Sequence, residues 1–218
     1  MIKAVIFDFD EVIIRSRKNH LKAFLLTLKK FGYEIDKREI EKRFGKTPMV
    51  ILKEIFPEWN NKKIKKFLSI KERTYREIVK EKGIRRVKGI KGLLDFLLKN
   101  KIKIAICSAS FRKNIFIGLE KTGLKNYFKI IVSAESVKKH KPNPDPLLKA
   151  AKLLKENPKN CAYIGDSIYE MQAAKRAKML AIGVLTSFYT KRKLKENGAT
   201  YVCKNMKETK ELISKLIS

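Results

Sequence analysis

Cysteine, tryptophan, histidine and acid are all scarce in this chain. Its 218 residues hold three cysteines, one tryptophan, two histidines and 22 acidic residues against 52 basic ones. Cys107, Cys161 and Cys203 lie far apart, each in or beside an apolar, strand-like segment. An odd count without CxxC spacing argues against a secreted disulfide framework. The three read instead as small buried hydrophobes. Long apolar runs are missing as well. The longest hold about five to eight residues, far short of the ~20 that span a bilayer. At the N-terminus the apolar Val5-Ile6-Phe7 runs straight into Asp8, and no small-residue cleavage site follows, so it does not read as a signal peptide. A cytoplasmic protein with no membrane contact is the expectation. Internal repeats and low-complexity segments are absent.

What is present is a densely charged globular composition, 44% hydrophobic and 34% charged. The length suits one domain with a substantial core, or one domain carrying a smaller inserted one. The net charge of +30 admits a polyanionic partner. However, the lysines are spread along the whole chain, with local clusters at Lys62–Lys66, Arg85–Lys88, Lys138–Lys141 and Lys191–Lys195. No arginine-rich tail and no aromatic–basic recognition motif accompanies them. A general lysine and isoleucine bias accounts for such diffuse charge, and nucleic-acid binding is kept as the weaker alternative. Either way the field attracts phosphorylated anions.

Periodicity divides the chain. Val5-Ile6-Phe7 reads as a buried strand that delivers Asp8 to its C-terminal end. From Ser16 to about Lys82 the pattern is helical. Leu21, Phe24, Leu25, Leu28 and Phe31 recur at three- and four-residue steps, and Gly32 follows as a stop. Ile40–Phe44, Val50–Phe56 and Ile64–Val79 repeat the theme between breaks at Gly45-Lys46-Thr47-Pro48 and at Pro57. From Gly89 onward, helix and strand alternate. Strands are expected at Ile102–Cys107, Lys129–Val132, Ala162–Ile164, Leu180–Val184 and Tyr201-Val202. Helices are expected at Gly92–Leu98, Lys113–Lys121, Pro146–Leu154, Ser167–Ala177 and Lys207–Ile217. Alternation of this kind predicts an α/β fold, a Rossmann-like parallel sheet with helices on both faces. The expected division is a core of residues 1–15 and 86–218, interrupted by a helical unit of residues 16–85.

Open parallel sheets bind ligands at the C-terminal ends of their strands, so polar residues just after apolar strands draw attention. Four places qualify. Asp8-Phe9-Asp10 sets two carboxylates on one side of an extended chain, where one can attack phosphorus and the other move a proton. A solvated strand end is the plain alternative. Ser108-Ala109-Ser110 offers a hydroxyl and backbone N–H groups at a strand-to-helix turn, suited to a phosphate oxygen or to an ordinary helix N-cap. Lys141 stands in the proline-stiffened His140-Lys141-Pro142-Asn143-Pro144-Asp145-Pro146, where it can neutralise a nucleophile and phosphoryl oxygens. Gly165-Asp166-Ser167 is followed by Glu170, which shares a helix face with Asp166. Hard carboxylate oxygens beside a phosphate site read as a magnesium site.

In this order, the four motifs resemble the haloacid dehalogenase superfamily, and most closely its phosphoglycolate phosphatase and β-phosphoglucomutase branch. The resemblance implies a Rossmann-like core with an inserted helical cap, and a magnesium-dependent phosphatase. The substrate would be a small phosphomonoester such as a sugar phosphate, phosphoglycolate or a nucleotide-like ester. By that resemblance Asp8 is the nucleophile that becomes phosphorylated. Asp10 protonates the leaving alcohol and then activates water. Ser108, the Ala109 backbone and Lys141 hold the phosphoryl group. Asp8, the main-chain carbonyl of Asp10 and Asp166 bind Mg²⁺, with Glu170 acting through water. In the cap, His20 and the Gly45-Lys46-Thr47 loop match substrate-contacting positions, with Lys46 and Thr47 as the contacts. A helix-packing histidine and a plain interhelix turn are the bland readings of these. The partner is a phosphorylated metabolite, and a monomer is expected.

The chain departs from the family at several positions. Glu11 stands where glycine is usual, which implies a strained turn and an extra carboxylate that repels phosphate or points toward a basic cap surface. Arg15-Ser16 replaces the usual Asp-Ser. Glu170 stands where aspartate is common. The mutase subgroup carries an arginine and a lysine near Pro48 and Glu77, and neither position is basic here. This favours a phosphatase and leaves a phosphoglucomutase-like mutase as the alternative. A weakly active or inactive polyanion binder is a third reading.

Overall fold

A computed structural model describes residues 1–44 and 46–217, so Gly45 lies outside the described residues. The chain divides into two compact units, Met1–Arg15 together with Arg85 onward, and Ser16–Ile84. In chain order, β1 (Ala4–Phe7) is followed by α1 (Arg17–Lys30), α2 (Lys37–Glu41), α3 (Pro48–Ile55) and α4 (Asn61–Lys82). Then come α5 (Ile90–Lys99), β2 (Lys103–Cys107), α6 (Arg112–Lys121), β3 (Ile131–Val132), α7 (Asp145–Leu154), β4 (Cys161–Gly165), α8 (Ile168–Arg176), β5 (Leu180–Val184), α9 (Lys191–Glu196), β6 (Tyr201–Cys203) and α10 (Met206–Ile217). No described helix is long and apolar enough to cross a membrane.

The first unit is built on a six-stranded sheet in the order β3-β2-β1-β4-β5-β6, every pair parallel. It is an α/β Rossmann-like core. Both sheet faces are covered, which explains why the strands read as nearly unbroken apolar runs. On one face Ala4, Ile6, Ala105, Cys107, Cys161 and Tyr163 pack with Leu147, Ala150 and Leu154 of α7 and Met171 and Ala174 of α8. Val5, Phe7, Ile104, Ile106, Ala162 and Ile164 are their alternates and are buried too. α5 packs on β2, and α10 packs on α5, β5 and β6. The three cysteines are buried free thiols. Burial pushes the Cys107 pKa up to about 12.

Two differences from the sequence reading have a physical cause. β3 is two residues long rather than four, because it pairs with β2 only through Ile131 and Val132. α9 was not expected. Its six residues carry four basic side chains and bury only Leu194, which leaves no apolar stripe to detect.

The helical unit has its own core of Phe24, Leu28, Ile40, Leu52, Phe56, Trp59, Ile64 and Phe67. Trp59, the single tryptophan, stacks on Phe56 at 4.4 Å and donates its indole N–H to the Tyr33 hydroxyl at 3.3 Å. Side-chain caps start three of its helices: Asp36 for α2, Thr47 for α3 and Asn60 for α4. The apolar stripe of α4 runs Ile64, Phe67, Tyr75, Ile78, with Lys71 at the step where another hydrophobe is due.

Candidate active site

Strand register brings the four motifs to one edge. Phe7 pairs with both Ile106 of β2 and Ile164 of β4. Asp8 therefore leaves β1 beside Cys107 and Gly165, with Ser108 and Asp166 one step beyond. The Asp8 amide donates to the Ile164 carbonyl at 2.9 Å, and the Ser108 amide to the Val132 carbonyl at 2.9 Å. Asp8 and Ser108 are buried, at 5% and 6% exposure.

Lys141 reaches this edge from the loop before α7, next to a cis Lys141–Pro142 peptide. Its ammonium donates to Asp8 Oδ1 at 2.7 Å, to Glu170 Oε1 at 2.5 Å and to the Tyr163 hydroxyl oxygen at 2.9 Å. All three of its N–H bonds are thereby used. Tyr163 passes its own O–H on to the Cys107 carbonyl at 3.2 Å. Sequence reasoning took Tyr163 as a plain strand residue. The signal was available, since a buried tyrosine needs a partner for its hydroxyl.

The other Glu170 oxygen accepts the backbone N–H groups of Asp166 (2.9 Å) and Ser167 (3.1 Å) at the start of α8. That approach requires Gly165. A Cβ there would stand 2.5 Å from Glu170 Oε2 and 2.9 Å from the Tyr163 ring. Asp8, Asp166 and Glu170 each offer a carboxylate oxygen, all within 4.8 Å of one another. Three hard oxygens at that spacing fit a divalent cation.

The electrostatics show a site short of positive charge. Burial pushes the Asp8 pKa well above the usual carboxylate range, and the Glu170 charge adds to it against the pull of Lys141. Asp166 is likewise raised, by burial and then by Glu170. Burial opposes ionisation of Glu170 too, yet the charge and hydrogen bond of Lys141 hold its pKa below the ordinary value. Lys141 is raised well above an ordinary lysine. Burial works against it, and Asp8 and Glu170 outweigh burial.

Asp10 accepts a hydrogen bond from the Ser110 hydroxyl at 2.5 Å. Its carboxylate is not one of the three clustered carboxylates, so only its main-chain carbonyl remains as the expected metal contact. Ser110 was not singled out from sequence. Ser108 Oγ accepts the Ser110 amide at 3.0 Å, a turn contact, and it is not the N-cap of the plain reading, since α6 is preceded by Phe111 with no side-chain cap. Ala109 is exposed. Glu11 adopts φ 59°, the strained left-handed turn expected of it. Its carboxylate pairs with Arg15 at 3.3 Å.

The candidate cap residues lie in the helical unit, each with local partners. Lys46 pairs with Glu54 at 2.6 Å, and Thr47 caps α3 by accepting the Val50 amide at 3.4 Å. His20 stacks on Tyr75 with ring centroids 3.9 Å apart, and its Nδ1 lies 3.0 Å from the Lys71 ammonium. Lys71 in turn donates to Glu72 at 2.8 Å.

Known proteins resemble this chain. A relative from Caldanaerobacter subterraneus, 30% identical over 97% of this chain and 94% of its own, carries the PpaX name. The pyrophosphatase PpaX of Oceanobacillus iheyensis is 24% identical over 95% of this chain and 94% of its own. The crystal structure of β-phosphoglucomutase from Clostridium difficile superposes with a TM-score of 0.84 at 30% identity, covering 100% of this chain and 97% of that one. The family model for haloacid dehalogenase-like hydrolases matches residues 5–184, which span both units and every motif at the sheet edge, and this chain belongs to that family.

Proposed function

We propose that this hydrolase is a magnesium-dependent phosphatase that removes phosphate from a small phosphorylated metabolite through a phosphorylated Asp8. The observation that carries the reading is the ammonium of Lys141, held between Asp8 and Glu170 beside Asp166. Asp8 attacks phosphorus and displaces the alcohol, to which Asp10 gives a proton. Asp10 then takes a proton from water as the water attacks the aspartyl phosphate, and phosphate leaves. Lys141 offsets the charge of nucleophile and phosphoryl oxygens. The Ser108 hydroxyl and the Ala109 N–H orient the oxygens. Asp8, Asp166, the Asp10 carbonyl and Glu170 through water would hold Mg²⁺. When bound, the cation supplies charge neutralisation that lets an anionic nucleophile approach an anionic ester. His20, Lys46 and Thr47 are the proposed substrate contacts of the cap.

The pyrophosphatase name carried by relatives adds inorganic pyrophosphate to the substrates to test. A phosphomutase is the second reading, favoured by the structural likeness to β-phosphoglucomutase. The missing cap lysine no longer counts against it, because Lys71, six positions before Glu77, is buried against His20.

The test is hydrolysis of p-nitrophenyl phosphate, pyrophosphate and a panel of phosphometabolites with and without Mg²⁺. Metal-dependent release of phosphate is expected, and Asp8→Asn should lower it by at least about a thousandfold. An isomerised sugar phosphate in place of free phosphate establishes the mutase. Silence across the panel with the native chain sinks both.

A further inference from the structure

The middle of β4 carries a polar atom that the proposed chemistry does not use. Tyr163 is fully buried, in register with Ile6 of β1, and belongs to the apolar cluster under α7 and α8. Its side chain crosses β1, which lies between β4 and β2, and its hydroxyl meets the Cys107 carbonyl at 3.2 Å. The same oxygen accepts an N–H of Lys141 at 2.9 Å. Cys107 is the last residue of β2 and precedes Ser108. A single hydroxyl thus ties the Lys141 ammonium to the strand that delivers Ser108.

A buried hydroxyl that only needed a partner would be satisfied by the Cys107 carbonyl. The second bond has a consequence for Lys141. An ammonium has three N–H groups, and the other two go to Asp8 Oδ1 at 2.7 Å and to Glu170 Oε1 at 2.5 Å. Both of those acceptors are carboxylates of the cluster that fits a cation. Asp8 is also the group that takes the phosphate in the proposed reaction. Their pull on Lys141 therefore changes when a cation or a phosphoryl group arrives. Tyr163 is a phenol, neutral throughout the physiological range, and no step of the reaction alters it. Of the three acceptors it is the one that stays the same while the others change.

We propose that Tyr163 is a positioning residue, whose hydroxyl is the fixed acceptor that keeps the Lys141 ammonium aimed at the phosphoryl oxygens. The inference rests on the proposed phosphatase reading. Without the hydroxyl, Lys141 keeps its charge and its two carboxylates but gains freedom to turn between them. The loss of preorganisation costs the transition state more than the bound substrate.

The experiment uses the full chain with Tyr163→Phe, with Lys141→Ala and with both. Phenylalanine keeps the ring in its apolar surroundings and removes only the hydroxyl. With p-nitrophenyl phosphate and Mg²⁺, Tyr163→Phe should lower kcat about tenfold and change KM by less than about twofold, the scale of one hydrogen bond to a charged group. In the Lys141→Ala chain the same substitution should change the residual kcat by less than about twofold, because the hydroxyl acts through the ammonium. An equal loss in both backgrounds overturns the proposal, since a packing role costs the same with or without Lys141. An unchanged kcat in Tyr163→Phe overturns it too. A second readout needs no turnover. The ¹⁵N–¹H signal of the Lys141 ammonium is identified by its disappearance in Lys141→Ala, and its exchange with water should quicken about tenfold in Tyr163→Phe. Unchanged exchange overturns the positioning role. If the native chain turns over no ester, the phosphatase reading fails, and the exchange rates still decide whether Tyr163 anchors Lys141.

Discussion

Lys141 in the core unit and Lys71 in the helical unit are both buried, with side chains 8% and 3% exposed. Their company differs. Lys71 meets one carboxylate, Glu72, and a ring nitrogen of His20. In the described contacts, one positive charge meets one negative charge. Lys141 meets two carboxylates, and Asp166 lies in the same cluster. Negative charge is in excess there, and the raised pKa values of Asp8 and Asp166 are its symptom. A balanced buried pair has no need of a ligand, whereas an unbalanced cluster is stabilised by whatever cation enters it. Charge balance therefore separates the two lysines better than burial does.

Removing each lysine tests the distinction, and the largest effect belongs to Lys141. Lys141→Ala takes the ammonium that bridges Asp8 and Glu170 from the cluster, and p-nitrophenyl phosphate turnover should fall by about a thousandfold or more while circular dichroism stays native. Unchanged turnover would show that the cluster does not act on phosphate. Lys71→Met should act on stability instead. It takes the Lys71 ammonium away from buried Glu72, at a cost of about 3 kcal/mol in urea unfolding. Lys71→Met combined with Glu72→Leu should recover most of that loss, and a double variant as unstable as the single one would remove the balanced-pair account.

The smallest effect is a pH-dependent response to metal. Asp8 and Asp166 have folded pKa values above their unfolded ones. Their contribution to stability is full below the unfolded carboxylate pKa and is lost as pH rises through the folded values. Glu170, held low, works the other way, and its contribution is lost as pH falls through its folded value. Above the folded values of Asp8 and Asp166, the metal-free core carries crowded, ionised carboxylates, and Mg²⁺ offsets that cost. Mg²⁺ at about tenfold its dissociation constant should raise Tm by about 4 °C near pH 8 and by clearly less near pH 5. Scanning fluorimetry at the two pH values measures this, and an equal shift at both contradicts the excess-charge account.

Most of the core site was legible because each chemical residue follows an apolar strand. Asp8 ends Val5-Ile6-Phe7, Ser108 ends β2 and Asp166 ends β4. What stayed hidden were partners. Tyr163 looked like strand filler, and its hydrogen bond to Lys141 spans 22 positions. The hydrogen bond from Ser110 to Asp10 spans 100. Glu11 and Arg15 were read separately as departures from the family, and their ion pair was not foreseen. Lys71 was lost among many lysines, although it interrupts the stripe of α4 where an apolar residue is due.

Alone, the sequence determined the order of the strands and of the helices other than α9, the inserted helical stretch and the identity of the residues at the strand ends. These follow from local periodicity and from where polar residues interrupt it. Only the tertiary structure decided which charges share a space. Lys141 and Asp8 are 133 positions apart and meet through sheet register and a loop, neither of which local pattern encodes.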